Sequence, residues 1–291
     1  MIFEGSAVAL VTPFDKNNEV NYFELKSLIE FQIANGTKAI VILGTTGEAS
    51  TITPEERTKI IKFSVCIVNK RVPLIVGTGS NSTVSAINLS KEAESLGADA
   101  VLVVTPYYNK CNQEGLYKHY KLIAKNINIP VILYNVPSRT GVNILPETVK
   151  RLSRIKNIVA IKEASGNISQ IKSIIDQVPS NFYVYSGDDG LTLPLISMGA
   201  KGVVSVTANC YPSKVQYLCE FALNGDFFNA KRIDCDLSKI NSALFLDINP
   251  ICVKFYMNLI GFDVGKTRLP LSKPSLEIQN KLKDIKKYYE N

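Results

Sequence analysis

The feature that most constrains this fold is a series of eight short apolar runs rich in β-branched residues, each followed by a segment with helical patterning. The runs are nearly continuous in apolar character, which is typical of strands buried on both faces of a parallel sheet. Their first residues lie 19 to 35 positions apart, the spacing of a repeated strand–loop–helix unit. The runs are residues 7–11, 39–43, 74–77, 100–104, 131–134, 158–161, 183–185 and 202–206.

Two of the intervening helices have recognisable ends. Thr53-Pro54 with Glu56 matches a capping box with proline at the first helical position. Another helix is predicted to start after Ser82 and to end at Gly97, because serine is a favoured N-cap and glycine a favoured terminator.

Eight successive βα units within 224 residues favour a closed barrel over an open doubly wound sheet. We therefore predict an α/β protein with a (β/α)8 TIM barrel as the catalytic domain over residues 1–224. The remaining residues, 225–291, read as helix only and are predicted to form a small C-terminal helical domain, suited to supporting an oligomer interface.

Composition excludes several classes of protein. With 46% hydrophobic and 20% charged residues the chain is neither disordered nor fibrous. The net charge of +7 is scattered, and the densest lysine run lies among acidic residues, so we predict no nucleic-acid partner. No apolar stretch approaches the ~18 residues that cross a membrane, and no secretory leader is recognisable. We expect a cytoplasmic protein without membrane association.

Metal and nucleotide cofactors are not predicted. The six cysteines lack paired spacing and His119 is the single histidine, which argues against a zinc site and against a disulfide framework. The glycine-bearing segments 77–82 and 261–267 do not complete nucleotide-binding motifs. Asp188-Asp189 is interpreted as a polar loop, and His119 as a structural residue in a helix.

Functional groups of a (β/α)8 barrel gather at the carboxyl ends of its strands. Lys162 directly follows the run 158–161, so we expect it to be the last residue of a buried strand. Burial disfavours an ammonium ion, and a neutral amine there is a nucleophile for Schiff-base chemistry with a carbonyl substrate. An equally open alternative is a lysine that reaches solvent or pairs with Glu163.

Neighbouring strand ends carry side chains that suit such chemistry. The phenol of Tyr134 can exchange protons with an imine, or it can be a structural tyrosine at the rim. Gly44-Thr45-Thr46-Gly47 offers two hydroxyls and free backbone N–H groups to a carboxylate, or is a turn that caps the next helix. Arg139 can hold a second carboxylate with two hydrogen bonds, or is an exposed loop arginine.

Four segments together resemble one known family: G-T-T-G-E at 44–48, Y-Y-N-K at 107–110, Y-N-V-P-S-R-T-G at 134–141 and K-E-A-S-G at 162–166. They make the chain similar to the dihydrodipicolinate synthase family of pyruvate-dependent class I aldolases, over nearly its whole length. The resemblance implies a lyase of lysine and diaminopimelate biosynthesis. Such a lyase condenses pyruvate with (S)-aspartate 4-semialdehyde to 4-hydroxy-tetrahydrodipicolinate, with no cofactor and no metal.

The resemblance also implies catalytic roles. Lys162 would form the imine with pyruvate, and Tyr134 would carry protons to and from it. Thr45 would be the middle of a hydroxyl relay from Tyr134 to Tyr108, which in this family comes from the adjacent subunit. A homo-oligomer is therefore implied, and the family is usually a tetramer built as a dimer of dimers.

Substrate-binding roles follow from the same resemblance. Thr46 would hold the pyruvate carboxylate, with the backbone of Val204 lining the same pocket, and the backbone carbonyl of Gly187 would face the site. Arg139 would bind the carboxylate of aspartate 4-semialdehyde. A related Schiff-base aldolase acting on a sugar acid is the alternative, and Arg139 argues against it. A catalytically silent barrel is a third hypothesis, which predicts no pyruvate adduct at Lys162.

Many family members carry an allosteric lysine site at the dimer interface. The matching positions here are Ala49, Asn81, Ser85 and Tyr107. Ser85 stands where lysine-inhibited members have glutamate, so the ammonium of lysine would lose its charge partner. We predict that this site is degenerate and that feedback inhibition by lysine is weak or absent.

Overall fold

The computed structural model describes residues 2–290, and within them eight parallel strands form a closed barrel in which each strand pairs with the next and β8 pairs with β1. This confirms the predicted (β/α)8 barrel. The strands are β1 Gly5–Ala9, β2 Ala39–Ile42, β3 Leu74–Gly77, β4 Ala100–Val104, β5 Val131–Asn135, β6 Ile158–Glu163, β7 Tyr183–Ser186 and β8 Gly202–Ser205.

Twelve α-helices occur in the described part of the chain, and short 3₁₀ turns lie at Ala49–Thr51, Asp189–Leu191 and Thr207–Asn209. The helices are α1 Tyr22–Ala34, α2 Pro54–Val68, α3 Thr83–Ser95, α4 Gln113–Lys125, α5 Pro137–Thr140, α6 Pro146–Leu152, α7 Ile168–Gln177, α8 Thr192–Ser197, α9 Pro212–Leu223, α10 Phe227–Ala243, α11 Ile251–Leu259 and α12 Leu276–Glu290. None of the helices within 2–290 is both long and apolar enough to cross a membrane.

The predicted helix signals are confirmed. The hydroxyl of Thr53 accepts a hydrogen bond from the backbone N–H of Glu56, whose carboxylate accepts one from the N–H of Thr53, which completes the capping box. The side chain of Ser82 caps α3, and Gly97 follows its end with φ of 98°.

The predicted ends of β1 and β6 are wrong by two residues, and those of β2, β5, β7 and β8 by one. Residues 10–11 are buried but lie outside β1, because the N–H of Val11 bonds to the side chain of Asn209 (3.1 Å) and not to a neighbouring strand. Lys162 is not the last residue of β6, because Glu163 still pairs with Asn135 of β5. Burial continues past a strand wherever loops cover the chain, so apolar character alone does not mark the end of a ladder.

The core has two layers. One fills the space between the barrel and its surrounding helices, and the other fills the inside of the barrel. At one end of the inner layer, Phe3 stacks on Tyr185 with ring centroids 4.2 Å apart, and the Tyr185 hydroxyl donates to the carbonyl of Phe3. Because this end is packed with aromatic rings, the opposite end is the one left for polar groups.

The expectation that residues beyond 225 are helix only is wrong for 244–250, between α10 and α11, and for the longer segment 260–275. This segment contains Gly261, Gly265, Pro270 and Pro274 and runs back over the barrel. Gly265 has φ of 66°, and a Cβ there would lie 2.0 Å from the carbonyl oxygen of Phe14, so only glycine fits the contact. The division of the chain into domains 1–224 and 225–291 stays a prediction.

Candidate active site

A cavity of about 430 Å³ opens where the strands end. It brings together five of the residues singled out from the sequence, although they lie on four different strand ends and loops. These are Thr46, Tyr134, Arg139, Lys162 and Gly187.

Lys162 and Tyr134 are directly opposite each other on neighbouring strands. Their Cα atoms pair in the β5–β6 ladder, so both side chains enter the barrel at the same level. The Lys162 side chain is buried, with 5% of its surface exposed, and its Nζ lies 4.6 Å from the centroid of the Tyr134 ring. The ring of a phenol thus lies beside a buried amine, which makes the Tyr134 hydroxyl a candidate for proton transfer to a lysine adduct.

Glu163 faces the opposite side of β6, because successive side chains of a strand alternate. Its carboxylate accepts hydrogen bonds from Asn135 Nδ2 (2.9 Å) and from the N–H of Ser165 (3.0 Å). Burial raises the pKa of Glu163 above its ordinary value. Among the described residues Lys162 forms no ion pair, with Glu163 or with any other carboxylate, so the alternative of a Lys162–Glu163 pair is contradicted.

Gly187 leaves room for the lysine stem. A Cβ at this position would lie 3.0 Å from Cε of Lys162 and 2.7 Å from Cβ of Ala164. Its N–H donates to the carbonyl of Glu163 (2.7 Å), which fixes the backbone in this place. The residue singled out for its carbonyl therefore also has a steric role that the sequence does not reveal.

The loop at 44–48 is strained at both ends. Leu43 and Glu48 each have φ of 54°, which is in the left-handed region that residues other than glycine rarely adopt. Within the loop, the hydroxyl of Thr46 accepts a hydrogen bond from Asn249 Nδ2 (2.9 Å). Thr45 lines a second cavity of about 590 Å³, which Tyr134 also lines. Thr46 and Thr45 thus line two different cavities, and Tyr134 lines both of them.

Arg139 lies in the short helix α5 and lines both cavities. One arm of its guanidinium donates to the backbone carbonyl of Asn249 (3.2 Å). The first cavity has three ionisable lining residues of acidic or basic type, the bases Arg139 and Lys162 and the acid Asp188. A site with these groups can hold small anionic substrates.

Two of the implied site residues line neither cavity. Tyr108 is 90% exposed, with φ of 74°, and lines neither cavity. Val204 is buried inside the barrel, and the residue of that segment that lines the first cavity is Val206. The roles implied for Tyr108 and Val204 stay predictions.

Of the four positions matched to an allosteric site, two line the second cavity and two do not. Ala49 and Tyr107 line the second cavity, whereas Asn81 and Ser85 are not among its lining residues. The backbone N–H of Ser85 is bonded to the side chain of Ser82, so Ser85 belongs to the first turn of α3.

Asn249 is the site residue that the sequence analysis missed. Its side chain holds Thr46 and its carbonyl holds Arg139, so it touches both residues implied in carboxylate binding. The signal was the dipeptide Asn249-Pro250, which marks a turn and not a helix interior. Reading the whole segment after 225 as helix concealed it.

Comparison with known proteins gives matches over nearly the whole chain. A family model described as the dihydrodipicolinate synthetase family matches residues 2–288. A curated relative from Acetivibrio thermocellus, named 4-hydroxy-tetrahydrodipicolinate synthase, is 55% identical over 93% of this chain and 92% of its own.

Solved structures extend the likeness to the fold. The dihydrodipicolinate synthase of Thermotoga maritima superposes with a TM-score of 0.98 at 42% identity, over 100% of this chain and 99% of that one. A structure described as the first monomeric dihydrodipicolinate synthase variant has a TM-score of 0.96 at 42% identity, over 98% and 96% of the two chains. Because the family model spans nearly all of the residues and the relatives match over almost their full length, the chain belongs to the dihydrodipicolinate synthetase family.

Proposed function

We propose that this protein is a lyase that condenses pyruvate with (S)-aspartate 4-semialdehyde through a Schiff base on Lys162. The product is 4-hydroxy-tetrahydrodipicolinate, an intermediate of the diaminopimelate and lysine pathway. The observation that carries the proposal is the Lys162 amine, which is buried in the barrel beside the Tyr134 ring and faces a cavity that Arg139 also lines.

The chemistry begins with attack of the Lys162 amine on the ketone carbon of pyruvate. The carbinolamine loses water to give an imine, and Tyr134 supplies the proton to the leaving hydroxyl. Loss of a methyl proton gives an enamine, whose carbon attacks the aldehyde of the second substrate. The amine of that substrate then adds to the imine carbon and displaces Lys162, which closes the ring and regenerates the enzyme.

Thr46 is the proposed contact for the pyruvate carboxylate. Because its oxygen accepts a hydrogen bond from Asn249, its own proton is free to be donated to an anion. Thr45 is proposed to pass protons between Tyr134 and Tyr108 of a neighbouring copy. The 90% exposure of Tyr108 supports this role, since the residue is available to another subunit.

Arg139 is the proposed contact for the carboxylate of the second substrate. The Asn249 carbonyl holds one arm of the guanidinium, and the remaining donors can bind a carboxylate with two hydrogen bonds. This favours a compact amino-acid semialdehyde over the polyol tail of a sugar acid.

A homo-oligomer, a tetramer built as a dimer of dimers, is proposed on the same grounds. Tyr107, the chain neighbour of Tyr108, and Ile248 are exposed side chains with large apolar surfaces, and both line the second cavity. One solved relative is described as a monomeric variant, so membership of the family does not by itself fix the number of subunits.

A coupled assay tests the reaction. The protein is mixed with pyruvate, aspartate 4-semialdehyde and a reductase that consumes the product, and NADPH oxidation is followed. We expect turnover that is lost in Lys162→Ala, and a pyruvate adduct on Lys162 after borohydride reduction. An adduct without turnover would overturn the proposed second substrate, and no adduct would overturn the Schiff-base reaction.

A further inference from the structure

One buried ion pair lies outside the residues that the mechanism uses. Nζ of Lys254 is 2.8 Å from Oε1 of Glu48, and both side chains are only 1% exposed. The other two ammonium hydrogens are directed to the carbonyls of Thr12 (3.0 Å) and Lys266 (2.9 Å). The second carboxylate oxygen of Glu48 accepts from the N–H of Arg268 (2.8 Å). Every hydrogen of the ammonium and both oxygens of the carboxylate are thus engaged.

Glu48, the acidic member of the pair, is the last residue of the loop that carries Thr45 and Thr46. At the start of this loop, Leu43 is held by backbone packing, since a Cβ on Gly77 would lie 2.1 Å from the Leu43 carbonyl oxygen. At its end, Glu48 has the same left-handed φ of 54°, and its side-chain bonds go to Lys254 and Arg268. A strained conformation persists only where its surroundings impose it, and here the ion pair does so.

Stability alone does not account for such a pair. Removing two charges from water costs several kcal/mol per ion, and buried pairs are often no better for stability than apolar side chains of similar size. A fully bonded pair does, however, fix the backbone of the two segments that carry its members, here the segments around Glu48 and Lys254.

The same stretch of chain touches the loop a second time. Asn249, just before α11, donates to Thr46, and Lys254 lies five residues later on the first turns of that helix. The beginning of α11 therefore contacts both the middle and the end of the loop, and it lies about 200 residues from the loop in sequence.

We propose that Glu48 and Lys254 are positioning residues, which hold Thr45 and Thr46 in the geometry that binds pyruvate and so make the Lys162 site depend on the C-terminal segment. The inference rests on the proposed function for its kinetic readout. Neither residue touches the substrate in this proposal, because neither lines the cavity that Lys162 enters; Glu48 lines only the second cavity.

The test compares Glu48→Gln, Lys254→Met and the double variant. Each single change leaves one buried charge without its partner and lowers Tm. The double change removes both charges, so we expect its Tm to return close to that of the wild type. Apparent affinity for pyruvate, read from borohydride trapping on Lys162, is expected to stay at least about tenfold weaker, as for loss of one charge-assisted hydrogen bond.

The exposed pair Arg71–Glu30 provides a matched control. The double variant Glu30→Gln with Arg71→Met should leave both Tm and pyruvate trapping close to wild type, since this pair is on the surface. A Glu48/Lys254 double variant with wild-type Tm and wild-type pyruvate affinity would overturn the inference.

Two further measurements cover the remaining outcomes. If the double variant does not fold, Glu48→Asp keeps the charges but shortens the link by one methylene, and unchanged pyruvate affinity in it would overturn the inference. If the wild type traps no pyruvate, the proposed function fails alone. Hydrogen exchange of residues 43–51 then decides the inference, since we expect at least tenfold faster exchange in the Glu48 variants and an unchanged rate would contradict it.

Discussion

At the scale of single residues, the proposed reactivity of Lys162 depends on where its side chain lies relative to the carboxylate of Glu163, its neighbour in the chain. Lys162 enters the barrel, and its chain neighbour Glu163 faces the helices with its own set of amide donors. Among the described residues no ion pair with a carboxylate therefore engages the amine of Lys162, which is the group that attacks a carbonyl in the proposed reaction.

The space beside the lysine stem gives a first prediction. Gly187→Ala would place a methyl group 3.0 Å from Cε of Lys162, which displaces the amine. Since a misplacement near 1 Å can cost about 100-fold in rate, we expect kcat/KM to fall at least about tenfold. Trapping of pyruvate by borohydride measures the effect on the amine itself.

Gly190→Ala is the matched control for this change. Gly190 lines the same cavity, but a Cβ there would meet only Oδ1 of Asp188, at an ordinary 3.5 Å. Equal losses in the two variants would show that the Lys162 contact is not the cause.

A second prediction at this scale concerns feedback by lysine. Ser85 belongs to the first turn of α3 and supplies no charge to an effector ammonium. The missing charge-assisted bond weakens binding by about 1.5–3 kcal/mol, which is about 10- to 150-fold. We expect less than half inhibition at about 1 mM lysine, measured in the coupled assay, and stronger inhibition in Ser85→Glu. Strong inhibition of the wild type at sub-millimolar lysine would contradict this.

At the scale of elements, the packing of α4 against α3 buries His119, a group whose protonation makes stability depend on pH. His119 of α4 is buried, and its Nδ1 is 2.9 Å from the hydroxyl of Thr83 at the start of α3. Its Nε2 has no hydrogen-bond partner in the described structure, and burial lowers the pKa of the imidazole from 6.5 to about 4. The interpretation of His119 as structural fits this position, away from both cavities.

The pH dependence of stability follows with a definite sign. Between pH 6.5 and about 4 the unfolded chain binds a proton at His119 and the folded chain does not, so the free energy of unfolding falls as pH falls across this range. The contribution is present in full above pH 6.5, and its loss amounts to at most about 3 kcal/mol. We expect His119→Gln to show a correspondingly smaller decrease over this range in urea unfolding, and identical slopes would contradict the assignment.

Element prediction succeeded where local patterns decide the outcome. The capping box at Thr53 and the N-cap at Ser82 depend on neighbours three residues away, so the sequence contains all of the information. The end of β6 depends instead on its pairing with Asn135 of another strand. For the same reason the irregular segment 260–275, which has no period of its own, was misread as helix.

At the scale of the whole molecule, the C-terminal segment and the barrel form one site. Asn249 and Lys254 come from this segment and reach the loop after β2, so a barrel cut at residue 224 would lack both contacts. The predicted domain boundary at residue 224 therefore separates residues that line the same cavity, such as Lys162 and Asn249.

Association of copies gives a prediction at this scale. Leu269 is exposed next to Pro270 and Leu271, which line the second cavity. Leu269→Glu should place a charge in the proposed contact between copies, shift the species seen by light scattering to lower mass, and reduce kcat, because Tyr108 of a neighbour is then missing. Phe23→Glu, at an exposed position on α1, is the control. A lower-mass species with wild-type kcat would contradict the shared site.

The sequence by itself determined the barrel and the neighbouring strands that carry Lys162 and Tyr134, because eight buried runs at regular spacing admit few arrangements. Only the tertiary structure decided that Asn135 donates to Glu163, that Asn249 holds Thr46, and that Lys254 pairs with Glu48. Periodicity describes neighbours along one element. These contacts join side chains from different elements, some about 200 residues apart, and they form only once the closed barrel brings its loops to one end.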